Sequence, residues 1–273
     1  ALPISLWHTA LTGLPPALNF TETLMQFGYL DATGLTGICR AWRNLVESVN
    51  PAAVVLDHAP TALLATTDLG IPRILWGDGF CIPPMTDPFP PYDASNRREQ
   101  ARLVEGSERV RGVANQVLHA LDVAPLDCLS ELFATDETYL ATLPALDHYP
   151  GRTGRHVGPV FALGQGATPR WPAVNADRRI FAYVKPAYRH FEPLLRALQA
   201  FAASIVVHAP GASERTLRTF ESAHLTFSVE PVDMERARNE CAAAICHAGA
   251  GTTAAMLLAG KPLLMLPMLT EQL

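Results

Sequence analysis

The residues best suited to chemistry lie near the end of the chain, at His247-Ala248-Gly249-Ala250-Gly251-Thr252-Thr253. An apolar run, Ala242 to Cys246, leads into this segment, and a stretch rich in Ala, Leu and Met follows it. The glycines therefore fall in a strand-to-helix turn. Gly249 and Gly251 let the backbone turn tightly and bring its N–H groups close to a ligand. The unpaired amides and partial positive charge of a helix N-terminus favour phosphate there. Thr252 and Thr253 add hydroxyl donors. A helix dipole contributes about 0.3–1 kcal/mol at an exposed site and up to ~2 kcal/mol when partly buried, so amide hydrogen bonds must supply the rest. The pattern is that of an anion site.

Gly249 to Ala254 also fits the G-x-G-x-x-A dinucleotide fingerprint, in which an acidic residue about twenty positions later binds a ribose. Glu271 sits near that spacing. Such a fingerprint normally opens its domain, whereas 19 residues follow Ala254. An NAD(P)-dependent oxidoreductase is thus a competing reading.

The elements that must position these residues read as strands flowing into turns and helices. Ala53 to Asp57 is followed by a helical stretch at Pro60 to Asp68 and a second apolar run at Arg73 to Trp76, a β-α-β signature. Similar runs recur at Arg179 to Val184, Ser204 to His208, Leu225 to Val229, Ala242 to Cys246 and Leu263 to Leu266, most of them separated by helix-length segments such as Phe191 to Phe201. This alternation predicts an α/β fold, with parallel sheets covered by helices on both faces. Gly158, Pro159, Gly164, Gly166, Pro169 and Pro172 mark a joint, which predicts a domain at 1–163, a linker at 164–177 and a second domain at 178–273. The Pro-rich stretch Ile82 to Tyr92 must be a loop at a strand's carboxyl end, either a pocket wall or a cover for a hydrophobic edge. His-Ala-Pro recurs at His58 to Pro60 and His208 to Pro210, as expected of strand-to-helix turns in two related α/β domains.

Composition narrows the classes. The 273 residues are enough for about two domains; 49% are hydrophobic and 17% charged, which excludes disorder as the main state. Lys plus Arg number 21 against 26 Asp plus Glu, a net −5, so no basic field exists to hold a nucleic acid. The five cysteines, Cys39, Cys81, Cys128, Cys241 and Cys246, show no C-x-x-C spacing, so neither a disulfide framework nor a zinc site is indicated. Lys261 interrupts the longest apolar run, Ala254 to Leu269, so no membrane span is expected and a reducing, cytoplasmic compartment fits best.

His247-Ala-Gly249-Ala-Gly251-Thr252-Thr253, then Gly260-Lys-Pro262, Pro267 and Glu271-Gln272, resembles the signature of nucleotide-sugar glycosyltransferases of the GT-B type. In UDP-glucosyltransferases and macrolide-type bacterial transferases this signature runs His-Gly-Gly-x-Gly-Thr, a helix, Gly-Val-Pro, Pro and Asp-Gln. Val54 to Ala65, with Leu56-Asp57-His58-Ala59-Pro60, and His156 to Val160 resemble the acceptor domain of bacterial members. The resemblance implies two Rossmann-like domains, both incomplete, for acceptor and donor. It implies transfer of a hexose from a UDP- or dTDP-sugar to a hydroxyl of a small acceptor, with inversion, and with neither a cofactor nor an obligatory metal.

Carried over by position, the resemblance implies that His247 contacts the donor diphosphate, that Gly249, Ala250, Gly251, Thr252 and Thr253 cradle it, and that Glu271 and Gln272 hold hydroxyls of the sugar. Carboxylates and amides suit hydroxyl-rich ligands, and a helix N-terminus stabilises a departing diphosphate. Lys185, after the first donor-domain strand, is either a point charge for the diphosphate or a solvated loop lysine. Asp57 is either the carboxylate that orients a catalytic histidine or a helix N-cap for the segment after Pro60. His58 is a poor partner for Asp57, because neighbouring strand residues face opposite ways. The base would lie upstream of Ala1, and further helices and strands would follow Leu273. This chain alone would then be inactive and would expose apolar surface.

The sequence departs from the family pattern in places. Ala248 replaces a glycine, a small change expected to be tolerated. Ala255 stands where many members place a ribose-binding glutamate, and no Trp or Gln near Pro231-Val232-Asp233 is available to read a base. A non-catalytic nucleotide-sugar-binding subunit or degenerate homologue is therefore a further alternative. Arg97, Arg98, Glu99, Arg102, Glu105, Glu108, Arg109 and Arg111 alternate in sign at helical spacing, as on a solvated helix face. Asp78, between two glycines, reads as a turn residue or an acceptor contact. Trp7, Phe20 and Tyr29 read equally as acceptor lining or core.

Overall fold

The computed structural model describes residues 17–93, 99–161, 164–174 and 178–272. The chain forms two compact units, Ala1–Gly158 and Pro159–Leu273. Trp7, Arg97 and Arg98 lie outside the described residues. No helix among the described residues is long and apolar enough to cross a membrane.

The first unit runs α1 (Phe20–Gln26), α2 (Ala32–Val49), β1 (Val54–Asp57), α3 (Pro60–Ala65), β2 (Arg73–Gly77), α4 (Gln100–Ala120) and β3 (Glu137–Leu140). The three strands form one parallel sheet in the order β1-β2-β3, and Leu140 bridges on to His156. Local chemistry sets the helix ends. Asn19 caps α1 by accepting from the Glu22 amide, and Asp31 caps α2 by accepting from the Thr33 and Gly34 amides. Helix α2 stops at Asn50, whose φ of 46° is the left-handed conformation that asparagine tolerates.

Phe20, Phe89 and Phe133 meet edge to face in this unit's core, beside the buried Tyr29. Phe20 and Tyr29 are therefore core residues. Phe89 carries the Pro-rich loop into the same core, and the loop is pinned by Asn19 Nδ2 donating to the Phe89 carbonyl and by Ser107 bonding Asp87. The loop thus covers a hydrophobic edge. The charged face of α4 is only partly solvated: Arg102 forks onto Glu22 at 2.6 and 2.8 Å, and Arg111 donates to the Asp127 carbonyl.

The second unit runs β4 (Arg179–Tyr183), α5 (Phe191–Ala200), β5 (Ser204–His208), α6 (Glu214–Phe220), β6 (Leu225–Ser228), α7 (Met234–Glu240), β7 (Ala243–Cys246), α8 (Ala250–Leu258) and β8 (Leu263–Met265). All five strands are parallel, in the order β6-β5-β4-β7-β8. Strand alternation divides the core between the two faces. Ala182, Ile205 and Val207 pack with α5 and α6, while Phe181, Val206 and Ala244 pack with α7 and α8.

The division at Gly158/Pro159 precedes the expected linker, and 164–174 is held by the second unit. Ala167 bridges Val232, the Pro172 carbonyl accepts from Ser204 Oγ, and Trp171 Nε1 donates to Glu240 at 2.6 Å.

Candidate functional site

From β4 the chain adds β5 and β6 on one side, then crosses back to add β7 and β8 on the other. The carboxyl ends of β4 and β7 therefore flank a topological switch point, where open parallel sheets leave a crevice for ligands. Lys185 follows β4 and His247 follows β7, so the two segments singled out in the sequence meet there.

His247 is 4% exposed, and both ring nitrogens are engaged. Nδ1 lies 2.7 Å from the Leu266 carbonyl, and Nε2 accepts from the Lys185 amide at 2.8 Å. The Tyr188 ring lies 5.4 Å from the imidazole, centroid to centroid.

The chain then turns through Ala248, whose φ is 59°. An L residue there carries strain that glycine would not, so the substitution is tolerated at a cost. Gly249 is the N-cap of α8, with φ −62° and no side-chain cap. The first bond back to it comes from the Thr253 amide to the Gly249 carbonyl at 3.1 Å. The amides of Ala250, Gly251 and Thr252 precede that bond and are helix N-terminal donors without an intrahelical acceptor. Gly249 and Ala250 are half-buried and exposed respectively, so these donors face accessible space. Thr253 is different: it is buried and its hydroxyl turns to Cys246 Sγ at 3.8 Å, away from any cradle role.

Lys185 is exposed, and its ammonium has no ion-pair partner among the described residues. Glu271 and Gln272 form a short 3-10 turn with Thr270 after β8. Glu271 is exposed, whereas Gln272 Oε1 accepts from the Met268 and Leu269 amides at 2.8 and 3.1 Å. The Gln272 carbonyl thus builds the turn and leaves its NH2 for other partners.

In the first unit Asp57 ends β1, exposed and without a side-chain partner among the described residues. The N-cap of α3 is Ala59, so Asp57 does not cap it. His58 has a φ of 41° and packs among Phe20, Phe27 and Phe80, with Nδ1 buried and unpartnered. Asp78 Oδ1 accepts from the Cys81 amide at 3.0 Å, which is a turn role.

One charged cluster gave no sequence signal. The Asp147 side chain, 2% exposed, accepts from Arg152 Nε and pairs with His156 Nε2, each at 2.8 Å, and also takes the Tyr149 amide at 3.0 Å. Burial alone would raise this carboxyl, but the Tyr149 amide, His156 and Arg152 outweigh it and hold it below the ordinary carboxylate range. Burial pushes the Cys39 thiol up to about 12, so it is inert. A cavity of about 260 Å³ beside β6, lined by residues that include Thr168, Arg170, Ser228 and Glu230, contains none of the residues expected at a site.

No protein-family model matches the chain, and no curated protein matches it in sequence. Solved structures do. The spinosyn rhamnosyltransferase SpnG, complexed with spinosyn aglycone, matches with a TM-score of 0.64 at 18% identity, over 92% of this chain and 64% of that one. The calicheamicin glycosyltransferase CalG4 matches with a TM-score of 0.65 at 17% identity, over 94% and 65%. The glycosyltransferase VinC, in complex with dTDP, matches with a TM-score of 0.62 at 14% identity, over 91% and 60%. The chain thus spans less than two thirds of the length of each of these three structures. At these identities the likeness is one of fold, and the fold is that of the GT-B glycosyltransferases.

Proposed function

We propose that the chain carries the donor-diphosphate site of a glycosyltransferase, which moves a hexose from a dTDP- or UDP-sugar to a hydroxyl of a small acceptor. The observation that carries this reading is the N-terminus of α8, which no side chain caps and which opens at the switch point beside Lys185. The amides of Ala250, Gly251 and Thr252 would take phosphate oxygens, with Lys185 as a point charge and Glu271 and the Gln272 NH2 toward the sugar. SpnG complexed with thymidine diphosphate and VinC with dTDP, which share the fold, support a pyrimidine diphosphate over NAD. SpnG with its aglycone supports a small hydroxyl-bearing acceptor.

Inversion follows in this reading if Asp57 orients a histidine base, which deprotonates the acceptor for in-line attack at the anomeric carbon. Positive charge from helix and lysine meets the leaving diphosphate, so the chemistry asks for no metal or bound cofactor. A cytoplasmic setting, where nucleotide sugars and reduced thiols coexist, belongs to the same proposal.

Calorimetric titration of the chain with UDP, dTDP and NAD tests it. The expected result is binding of a pyrimidine diphosphate, weakened about tenfold, or 1.4 kcal/mol, by a Lys185→Ala substitution. Binding of NAD alone, or no binding by a folded chain, would overturn it.

A further inference from the structure

Two ring side chains share the carboxyl edge of the second sheet with the N-terminus of α8. Tyr183 ends β4 and His208 ends β5, opposite each other in the parallel ladder. Their rings stack at 5.5 Å between centroids and 20° between planes. Side chains two positions apart in a strand share a face, so Tyr183 stands with Phe181 and His208 with Val206, on the face that packs α7 and α8. The strand order β5-β4-β7 sets the spacing: His208 lies two strands, or about 10 Å, from the end of β7, where the chain turns into α8.

The hydrogen bonds of this pair show which groups are left over. His208 is 8% exposed, and its Nδ1 lies 3.1 Å from the Ser228 carbonyl on β6. A carbonyl oxygen only accepts, so Nδ1 carries the hydrogen and Nε2 presents a lone pair. Neither that Nε2 nor the Tyr183 hydroxyl has a hydrogen-bond partner among the described residues, and neither is shut off from solvent. An acceptor and a hydroxyl held side by side match a ligand that brings two adjacent hydroxyls, one to donate to Nε2 and one to bond the phenol. We propose that Tyr183 and His208 bind the vicinal diol of the donor's ribose, so that the site takes a ribonucleoside diphosphate sugar, such as a UDP-sugar, in preference to a 2′-deoxyribonucleoside one. This rests on the reading of α8 as the diphosphate site: with the phosphates at its N-terminus, the nucleoside extends along the carboxyl edge across β4 toward β5.

Calorimetry with UDP, 2′-deoxyUDP and inorganic pyrophosphate separates the contacts. The chain should bind UDP about three- to tenfold more tightly than 2′-deoxyUDP, in line with one hydrogen bond. Tyr183→Phe keeps the stacked ring, and His208→Asn keeps a donor toward Ser228 but ends short of Nε2. Each should weaken UDP binding about three- to tenfold and leave pyrophosphate binding unchanged. Equal affinity for UDP and 2′-deoxyUDP, or unchanged UDP affinity in both folded variants, would overturn the proposal. So would an equal loss of pyrophosphate binding, because the pair would then shape the sheet edge without touching the ribose. Pyrophosphate binding without these effects on UDP would remove this inference alone; a folded chain that binds none of the three would remove the diphosphate reading as well.

Discussion

Replacing Gly166 with alanine should loosen the second unit by about 2–4 kcal/mol, and each part of that figure comes from a specific feature. Gly166 has a φ of +109°, outside the range that L residues adopt without strain. A Cβ built there would lie 2.5 Å from the Pro231 carbonyl oxygen and 2.9 Å from both the Asp233 amide nitrogen and the Val232 carbonyl carbon. All three are backbone atoms, so no rotamer change relieves the clash. The pairing that must yield is the Ala167–Val232 bridge, built from Ala167 N donating to Pro231 O at 2.8 Å and Asp233 N donating to Ala167 O at 2.9 Å. Backbone strain costs about 1–3 kcal/mol and each lost hydrogen bond about 0.5–1.5 kcal/mol. The lower chain entropy of unfolded alanine returns about 0.4–1 kcal/mol. Asp233 also caps α7, accepting from the Glu235 and Arg236 amides, so the disturbance reaches that helix. The two units can unfold separately, which makes a whole-chain midpoint a poor gauge. Native-state hydrogen exchange at β5, whose five residues are all buried, reports the second unit alone. Protection there that changes by less than about 0.5 kcal/mol would show that this backbone contact does not set the unit's stability.

Two further outcomes follow from the same geometry. Ala248→Gly should stabilise the second unit by up to about 1 kcal/mol, because removing left-handed strain of about 1–2 kcal/mol exceeds glycine's entropic penalty of about 0.5–1 kcal/mol; weaker hydrogen-exchange protection at β5 would contradict this. The first unit should lose stability in acid. The Asp147 carboxyl is depressed in the folded state, so its contribution is complete above the ordinary carboxylate pKa of about 3.9 and disappears as pH falls through the lower folded value. Asp147→Asn should cost about 1.5–3 kcal/mol at neutral pH and flatten that acid limb, as hydrogen exchange at β2, in the first unit, would show across pH.

How much of this was legible depended on how local each signal is. Strand β5 matches the apolar run Ser204 to His208 residue for residue, because a strand buried on both faces shows itself as an unbroken hydrophobic run. Strand β3, Glu137-Thr-Tyr-Leu, went unseen: only Leu140 is buried, so no run or alternation marks it. Helix α2, by contrast, does carry a sequence signal, since Leu35, Cys39, Trp42 and Val46 recur at helical spacing behind the Asp31 cap. The turn from His247 into α8 was readable, since glycines and a helix-forming run adjoin it. The use of His247 was not, because its partners lie 62 and 19 positions away. The Asp147 cluster stayed hidden for a related reason: its charges converge only once the loop after Leu140 folds back on itself.

The signature at the end of the chain mixes two kinds of residue that hydrogen-bond accounting separates. A polar group whose capacity is met by the protein is scaffold, because a ligand would have to displace a bond to use it. By that measure the Thr253 hydroxyl and the Gln272 carbonyl are scaffold, occupied by Cys246, and by Met268 and Leu269. The amides that open α8 and the Lys185 ammonium remain available, and both are positive. A parallel sheet brings this about by its own geometry: strand ends and helix N-termini gather at one edge, and at the switch point no crossing connection covers them. An anion placed there meets donors that folding has aligned and left unpaired.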